Sequence, residues 1–201
     1  MPVGQLRYAA VILTGGGASR MGGVDKTALE VAGDTVLTRV LSAVDNASEI
    51  VVAGPRPRVE FGGGRVAWVL EDPPLGGPVA GIDAAVASLR STVVVVLAGD
   101  LPFADGLPAA LLDALSLAPS ADAVVPQDVQ GRWQPLAAVY RTEALRVALR
   151  SIGDTRGQSA RTLLKHLRVV AVLAEELPAN SLFDIDTQSD LEEARNRLRT
   201  G

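Results

Sequence analysis

Between Leu13 and Lys26 the chain runs Leu-Thr-Gly-Gly-Gly-Ala-Ser-Arg-Met-Gly-Gly-Val-Asp-Lys, where residue types and spacing point most directly to chemistry. Five glycines fall between Gly15 and Gly23. Lacking side chains, they let the backbone approach a ligand closely and take positive φ values. Successive exposed N–H groups in such a loop form a nest for phosphate oxygens. Arg20 and Lys26 add cationic donors, and an arginine grips a phosphate through two parallel hydrogen bonds. A phosphate cradle is therefore the expectation, but not one of the two commoner kinds. Counted from Gly17, a Walker loop would need Gly-Lys-Ser/Thr where this chain has Gly22-Gly23. Counted from Gly15 and Gly17, the third glycine of a dinucleotide fingerprint is replaced by Arg20.

Three further segments carry groups of interest. Glu71-Asp72 precedes the glycine-proline stretch Gly76–Gly81. Asp100 lies in Ala98-Gly99-Asp100-Leu101-Pro102-Phe103, directly after the most strand-like run in the protein. A carboxylate at the tip of a central strand is well placed for Mg²⁺, which prefers oxygen ligands and keeps several waters. Asp184-Ile185-Asp186-Thr187-Gln188-Ser189-Asp190 forms the last acidic cluster, in which Thr187 or Ser189 is also a helix cap.

Alternating elements are needed to bring these segments together. Tyr8–Leu13, Glu49–Ala53, Val66–Leu70, Thr92–Ala98, Ala123–Val125, Gln134–Arg141 and Val169–Leu173 read as strands. Helices are expected over Thr35–Asp45, Ile82–Leu89, Leu107–Leu117, Glu143–Ser151, Ser159–Leu167 and Asp190–Arg199. Strands interleaved with helices imply right-handed crossovers and a mainly parallel sheet. The fold class is α/β, a three-layer Rossmann-like arrangement. In such sheets ligands sit beyond the carboxyl ends of the strands, which is where Thr14–Gly17, Glu71-Asp72 and Gly99-Asp100 fall. The 201 residues fit a single domain, with a nucleotide-binding part over about 1–125 and an acceptor part over about 126–201. A candidate boundary between the two parts lies near Pro126–Gly131.

Composition narrows the function further. Hydrophobic residues make up 48% of the chain, which excludes disorder. A net charge of −4 argues against a broad nucleic-acid footprint. The absence of cysteine removes disulfides, thiolate metal sites and a cysteine nucleophile. His166 alone cannot build a histidine-rich metal site and reads as structural or solvated. The apolar runs are too short to span a bilayer, so a cytoplasmic protein without membrane contact is expected.

The Leu13–Lys26 stretch resembles the Leu-x-Gly-Gly-x-x-x-Arg-Met-Gly-Gly-x-Asp-Lys signature of molybdenum cofactor guanylyltransferases, with Thr14 where that family usually has alanine. The resemblance implies a Rossmann-like nucleotidyltransferase fold and transfer of GMP from Mg²⁺-bound GTP to molybdopterin, releasing pyrophosphate. It places Leu13, Thr14, Gly15 and Gly16 at the nucleoside, and Lys26 and Arg20 at the phosphates. Asp25 would brace the loop. Asp72, Pro78 and Gly81 match the segments that form the guanine pocket; a carboxylate there accepts from guanine N1–H and N2–H₂, paired donors that cytosine lacks. Asp100 and Asp186 match metal-holding positions, and Lys26, Arg20 and Asp100 become the catalytic group. Gln134-Pro135-Leu136 also resembles a family segment, and Arg132, Gln134, Arg156 and Arg161 are candidates to receive the acceptor. Ala53-Gly54-Pro55 departs from relatives that carry Asn at the end of the second strand, which leaves that nucleoside contact open.

Alternatives within the enzyme class are a cytidylyltransferase on the same cofactor or a sugar-phosphate nucleotidyltransferase. Outside it, a non-catalytic adaptor could carry nucleotide or cofactor to molybdoenzymes or their chaperones. The Lys26/Asp100 pair argues for the enzyme.

Overall fold

A computed structural model describes residues 6–15, 25–55 and 65–199. Strand β1 (Ala9–Leu13) is wholly buried and leads toward the glycine-rich stretch. A 3-10 turn at Lys26–Ala28 follows, then a small antiparallel hairpin of β2 (Glu30–Val31) and β3 (Asp34–Thr35). Helix α1 (Val36–Ala43) starts at Thr35, whose hydroxyl accepts from Thr38 N. Strands β4 (Glu49–Ala53) and β5 (Val66–Val69) come next, then α2 (Pro78–Val86), β6 (Val93–Ala98) and α3 (Leu107–Leu117). The second half contains β7 (Ala123–Gln127), β8 (Ala137–Arg141), α4 (Thr142–Ile152), α5 (Arg161–Leu164), β9 (Val169–Leu173) and α6 (Gln188–Arg199).

Among the described residues seven strands form one mixed sheet in the order β5-β4-β1-β6-β8-β7-β9. The β4–β5, β1–β4, β1–β6 and β7–β9 pairs are parallel, while β8 runs antiparallel to both β6 and β7. The mainly parallel sheet thus carries one reversed strand that alternation alone did not foretell. Each strand turns successive side chains to opposite faces. On one face Ala10, Ile12, Val95 and Leu97 pack with residues of α1, α3 and α6, such as Leu37, Leu111 and Leu191. On the other, Val11, Leu13 and Val96 pack with Ile82, Leu145 and Leu163 from α2, α4 and α5. Three layers result.

Two helices differ from expectation. The helix expected over Ile82–Leu89 begins four residues earlier, at Pro78, because Gly77 at φ 89° turns the chain and proline at the first helical position loses no hydrogen bond. It also ends earlier, where Arg146 of α4 donates to the carbonyls of Val86 and Leu89. The helix expected over Ser159–Leu167 shrinks to the single turn Arg161–Leu164, with His166 exposed just beyond it. The candidate boundary near Pro126–Gly131 falls at the end of β7 and on a turn held by Asp128, which accepts from the backbone N–H groups of Gln130 and Arg132.

The segment entering β8 is fixed from several sides. Ala98 N donates to Leu136 O at 2.6 Å, Gln134 N to Pro126 O at 2.9 Å, and the buried Tyr140 hydroxyl to Pro135 O at 2.7 Å. Removing that hydroxyl in Tyr140→Phe leaves a buried carbonyl without its donor. The variant should fold but lose about 1–2 kcal/mol of stability in a denaturant titration.

Candidate active site

The carboxyl ends of β1, β4 and β6 converge on one edge of the sheet, and the backbone there is closely packed. Thr14 N donates to Ala53 O, and Gly99 N to Leu13 O. A side chain at Gly99 would meet Leu13 O and Thr14 Cγ2 at 3.0 Å, so the turn after β6 requires glycine to lie against β1. A side chain at Gly54 would collide with the Thr14 hydroxyl. Thr14 and Gly54, the latter within the Ala53-Gly54-Pro55 segment, are therefore neighbours, and the threonine takes up space that a larger residue at 54 would need. Gly81, in the first turns of α2, brings that helix against Leu13.

Lys26 is the cation of this edge. Asp25 caps its 3-10 turn, accepting from Thr27 N at 3.0 Å and Thr27 Oγ1 at 2.6 Å, as expected of a brace. The Lys26 ammonium lies 2.5 Å from Asp186 Oδ1 and 3.8 Å from Asp100 Oδ2. Asp100 is fixed through its backbone, whose carbonyl accepts from Ile185 N at 3.1 Å. Burial pushes its carboxyl up to about 6; Lys26 opposes that shift, and Asp184 and Asp186 add to it. Asp184 is likewise raised, by desolvation and by Asp186. Asp186 stands before α6 in a capping box: Thr187 Oγ1 accepts from Asp190 N while Asp190 accepts from Thr187 N.

Two carboxylates facing one cation form an oxygen-only donor set. Mg²⁺ usually takes one or two carboxylates and completes its shell with waters and substrate phosphates, so Asp100 and Asp186 fit such an ion. Among the described residues no cluster of three or more His, Cys, Asp or Glu could hold a metal alone.

Beside Asp100 opens a cleft of about 340 Å³. Pro78, Trp133, Gln134, Arg161 and Asp184 line it together with Asp100. The structure thus brings Gln134 and Arg161 to Asp100, but not the other two acceptor candidates. Arg132 pairs with Asp128 at 2.7 Å, and Arg156 with Asp154 at 2.8 Å; neither lines the cleft. Asp72 sits exposed in the loop after β5, where the neighbouring Glu71 accepts from Gly76 N and Gly157 N donates to Gly76 O. Gly16 and Arg20 lie outside the described residues. Sequence reasoning missed Trp133 and Asp184: the tryptophan adjoins Gln134-Pro135-Leu136, the signal that could have found it, and Asp184 lies two residues before Asp186 in the same acidic cluster.

The MobA-like NTP transferase domain matches residues 10–172 of the chain. A probable molybdenum cofactor guanylyltransferase from Natronomonas pharaonis is 32% identical over 94% of this chain and 96% of its own length. The molybdenum cofactor guanylyltransferase of Mesorhizobium japonicum is 29% identical over 96% of each. Among solved structures, molybdopterin-guanine dinucleotide biosynthesis protein A from Archaeoglobus fulgidus superimposes with a TM-score of 0.74 at 23% identity, covering 96% of this chain and all of that one. The 2-C-methyl-D-erythritol 4-phosphate cytidylyltransferase of Thermus thermophilus gives 0.70 at 22% identity, covering 94% and 98%. Both share the fold.

The raised Asp100 carboxyl makes a pH-dependent prediction. Its folded value of about 6 lies above the ordinary aspartate value, so the folded protein holds this proton more tightly than the unfolded chain. Its contribution to stability is greatest below pH 4 and is lost as pH rises to about 6. Relative to the unchanged chain, Asp100→Asn should show no advantage near pH 4. Its advantage should grow to roughly 2–3 kcal/mol by pH 6 and stay level above, as read by urea unfolding across that range.

Proposed function

The chain belongs to the MobA-like NTP transferase family and, within it, to the molybdenum cofactor guanylyltransferases, and on that premise we propose that it transfers GMP from GTP to molybdopterin. The observation that carries this reading is Lys26 between Asp100 and Asp186 at the end of the glycine-rich stretch, with the cleft opening beside Asp100.

In this reading the terminal phosphate of molybdopterin attacks the α-phosphorus of GTP. A new oxygen–phosphorus bond forms, the bond to the bridging oxygen breaks, and pyrophosphate leaves. The attacking phosphate is already ionised near neutral pH, so no side chain need remove a proton. Catalysis is then orientation and charge neutralisation. Leu13, Thr14, Gly15 and Gly16 present backbone to the nucleoside, and Asp72, with the Pro78–Gly81 turn, receives the guanine edge. Lys26 moves from Asp186 to the triphosphate, where Arg20 joins it. Asp100 and Asp186 would hold Mg²⁺, which neutralises phosphate charge when bound. Gln134 and Arg161 face the acceptor from the cleft, and the part beyond residue 126 is the acceptor half of a single domain. Delivery of the product to molybdoenzymes or their chaperones would follow. Among the described residues no helix is long and apolar enough to cross a membrane, in keeping with work in the cytoplasm.

The test supplies GTP, CTP, ATP or UTP with Mg²⁺ and molybdopterin and measures pyrophosphate. GTP should be preferred, and a preference for CTP would refute the base assignment. Lys26→Ala should lower kcat by about 10²–10³-fold, the scale of losing one charge-stabilising donor. Full turnover in that variant would refute the mechanism.

A further inference from the structure

Resting on guanylyl transfer as read above, we infer that the indole of Trp133 is the platform on which the planar fused-ring heterocycle of the acceptor stacks. Trp133 is half-buried: it packs against the aliphatic cluster between the sheet and α2, α4 and α5, and it also lines the cleft beside Asp100. It is the aromatic residue among the described lining residues, in a chain that has only two tryptophans, two tyrosines and three phenylalanines. A fused heterocycle offers a flat π-face, and an aromatic ring is the side chain that meets such a face.

The platform is held rigidly, as a stacking surface requires. Trp133 bridges to Gln127 of β7 through its backbone. The residues on either side are tied down by Asp128 N donating to Arg132 O and by Gln134 N donating to Pro126 O. The Gln134 amide nitrogen donates to Asp128 Oδ2 at 3.0 Å, which fixes the amide so that its carbonyl oxygen is the acceptor it offers. A pterin carries adjacent N–H donors on its pyrimidine edge that suit that oxygen. Arg161, also lining the cleft, supplies positive charge for the acceptor phosphate, and Asp100 marks the end nearest Lys26. At about 340 Å³ the cleft falls within the range of small-ligand pockets, roughly 300–1,000 Å³. Heterocycle and phosphate can therefore share one cleft with Asp100, which stands 3.8 Å from the Lys26 ammonium.

Pyrophosphate release is measured for the unchanged chain, Trp133→Leu and Trp133→Phe, varying molybdopterin at saturating GTP and then the reverse. Loss of stacking in Trp133→Leu should raise KM for molybdopterin about tenfold or more, in line with the effect of removing one aromatic partner from a stacked base. KM for GTP should stay within about twofold, and Trp133→Phe should keep most of the affinity. An unchanged KM for molybdopterin, or an equal rise for both substrates, overturns the platform. An equilibrium readout stands beside the kinetics. In a Trp68→Phe background the emission of Trp133 is titrated with 6-hydroxymethylpterin, corrected against free tryptophan. Saturable quenching is expected, and quenching that never saturates overturns the assignment. Should the unchanged chain release no pyrophosphate with GTP and molybdopterin, the transfer reading falls, while the fluorescence titration still decides whether Trp133 stacks a pterin.

Discussion

One ammonium group holds the candidate site together. Lys26 bridges Asp100 and Asp186 across 160 residues of chain, and so joins the turn after the glycine-rich stretch, the tip of β6 and the loop that enters α6. Like charges a few ångströms apart repel by several kcal/mol at an intermediate dielectric, and the Asp100 side chain, only 25% exposed, is already partly stripped of water. Without an internal cation the acidic pair would force the two loops apart or take up protons. A nucleotide that draws Lys26 away removes that cation, so the incoming ligand has to bring positive charge of its own. In the proposed reaction, nucleotide and metal binding are thus tied to one another by electrostatics at this spot.

The close packing beneath it leaves little room for side chains at this edge of the sheet. Leu13, Ala53 and Ala98 end on the same level because β1 pairs in register with β4 and with β6. Gly99 and Gly54 then pass within contact distance of Thr14. Thr14 and Gly54, far apart in the sequence, are thus neighbours in space.

Much of this was legible in the sequence. The run of four valines before Asp100 announced a central strand, and Leu107–Leu117 was bounded correctly by its leading Gly-Leu-Pro and its apolar spacing. Lys26, Asp100 and Asp186 were legible because their motifs are local and ordered. What escaped was non-local. The reversal of β8 depends on its pairing with β6, far earlier in the chain, and with β7 across the intervening loop, and a strand's direction leaves no mark in its own residues. The early start of α2 follows from Gly77-Pro78, local chemistry outweighed by the apolar pattern, while the apolar spacing of Ser159–Leu167 overstated α5. Trp133 escaped because a tryptophan that half packs into the core and half lines a cleft carries no sign of that division in the sequence. The separation of Arg132 and Arg156 from the cleft reflects nearby aspartates, whose pull on an arginine is invisible until the turns are folded.

The reversed strand has a consequence for how such a protein can change over generations. In a purely parallel sheet, every loop at the carboxyl edge follows a strand. Because β8 runs the other way, the residues that precede it, Trp133 to Leu136, arrive at that same edge by an independent route. Side chains there can be exchanged while the backbone bond from Ala98 N to Leu136 O is kept. In the proposed reaction one scaffold could therefore diversify in what it modifies while retaining the strand ends at Thr14, Gly54 and Gly99, a division of labour that makes the architecture readily evolvable.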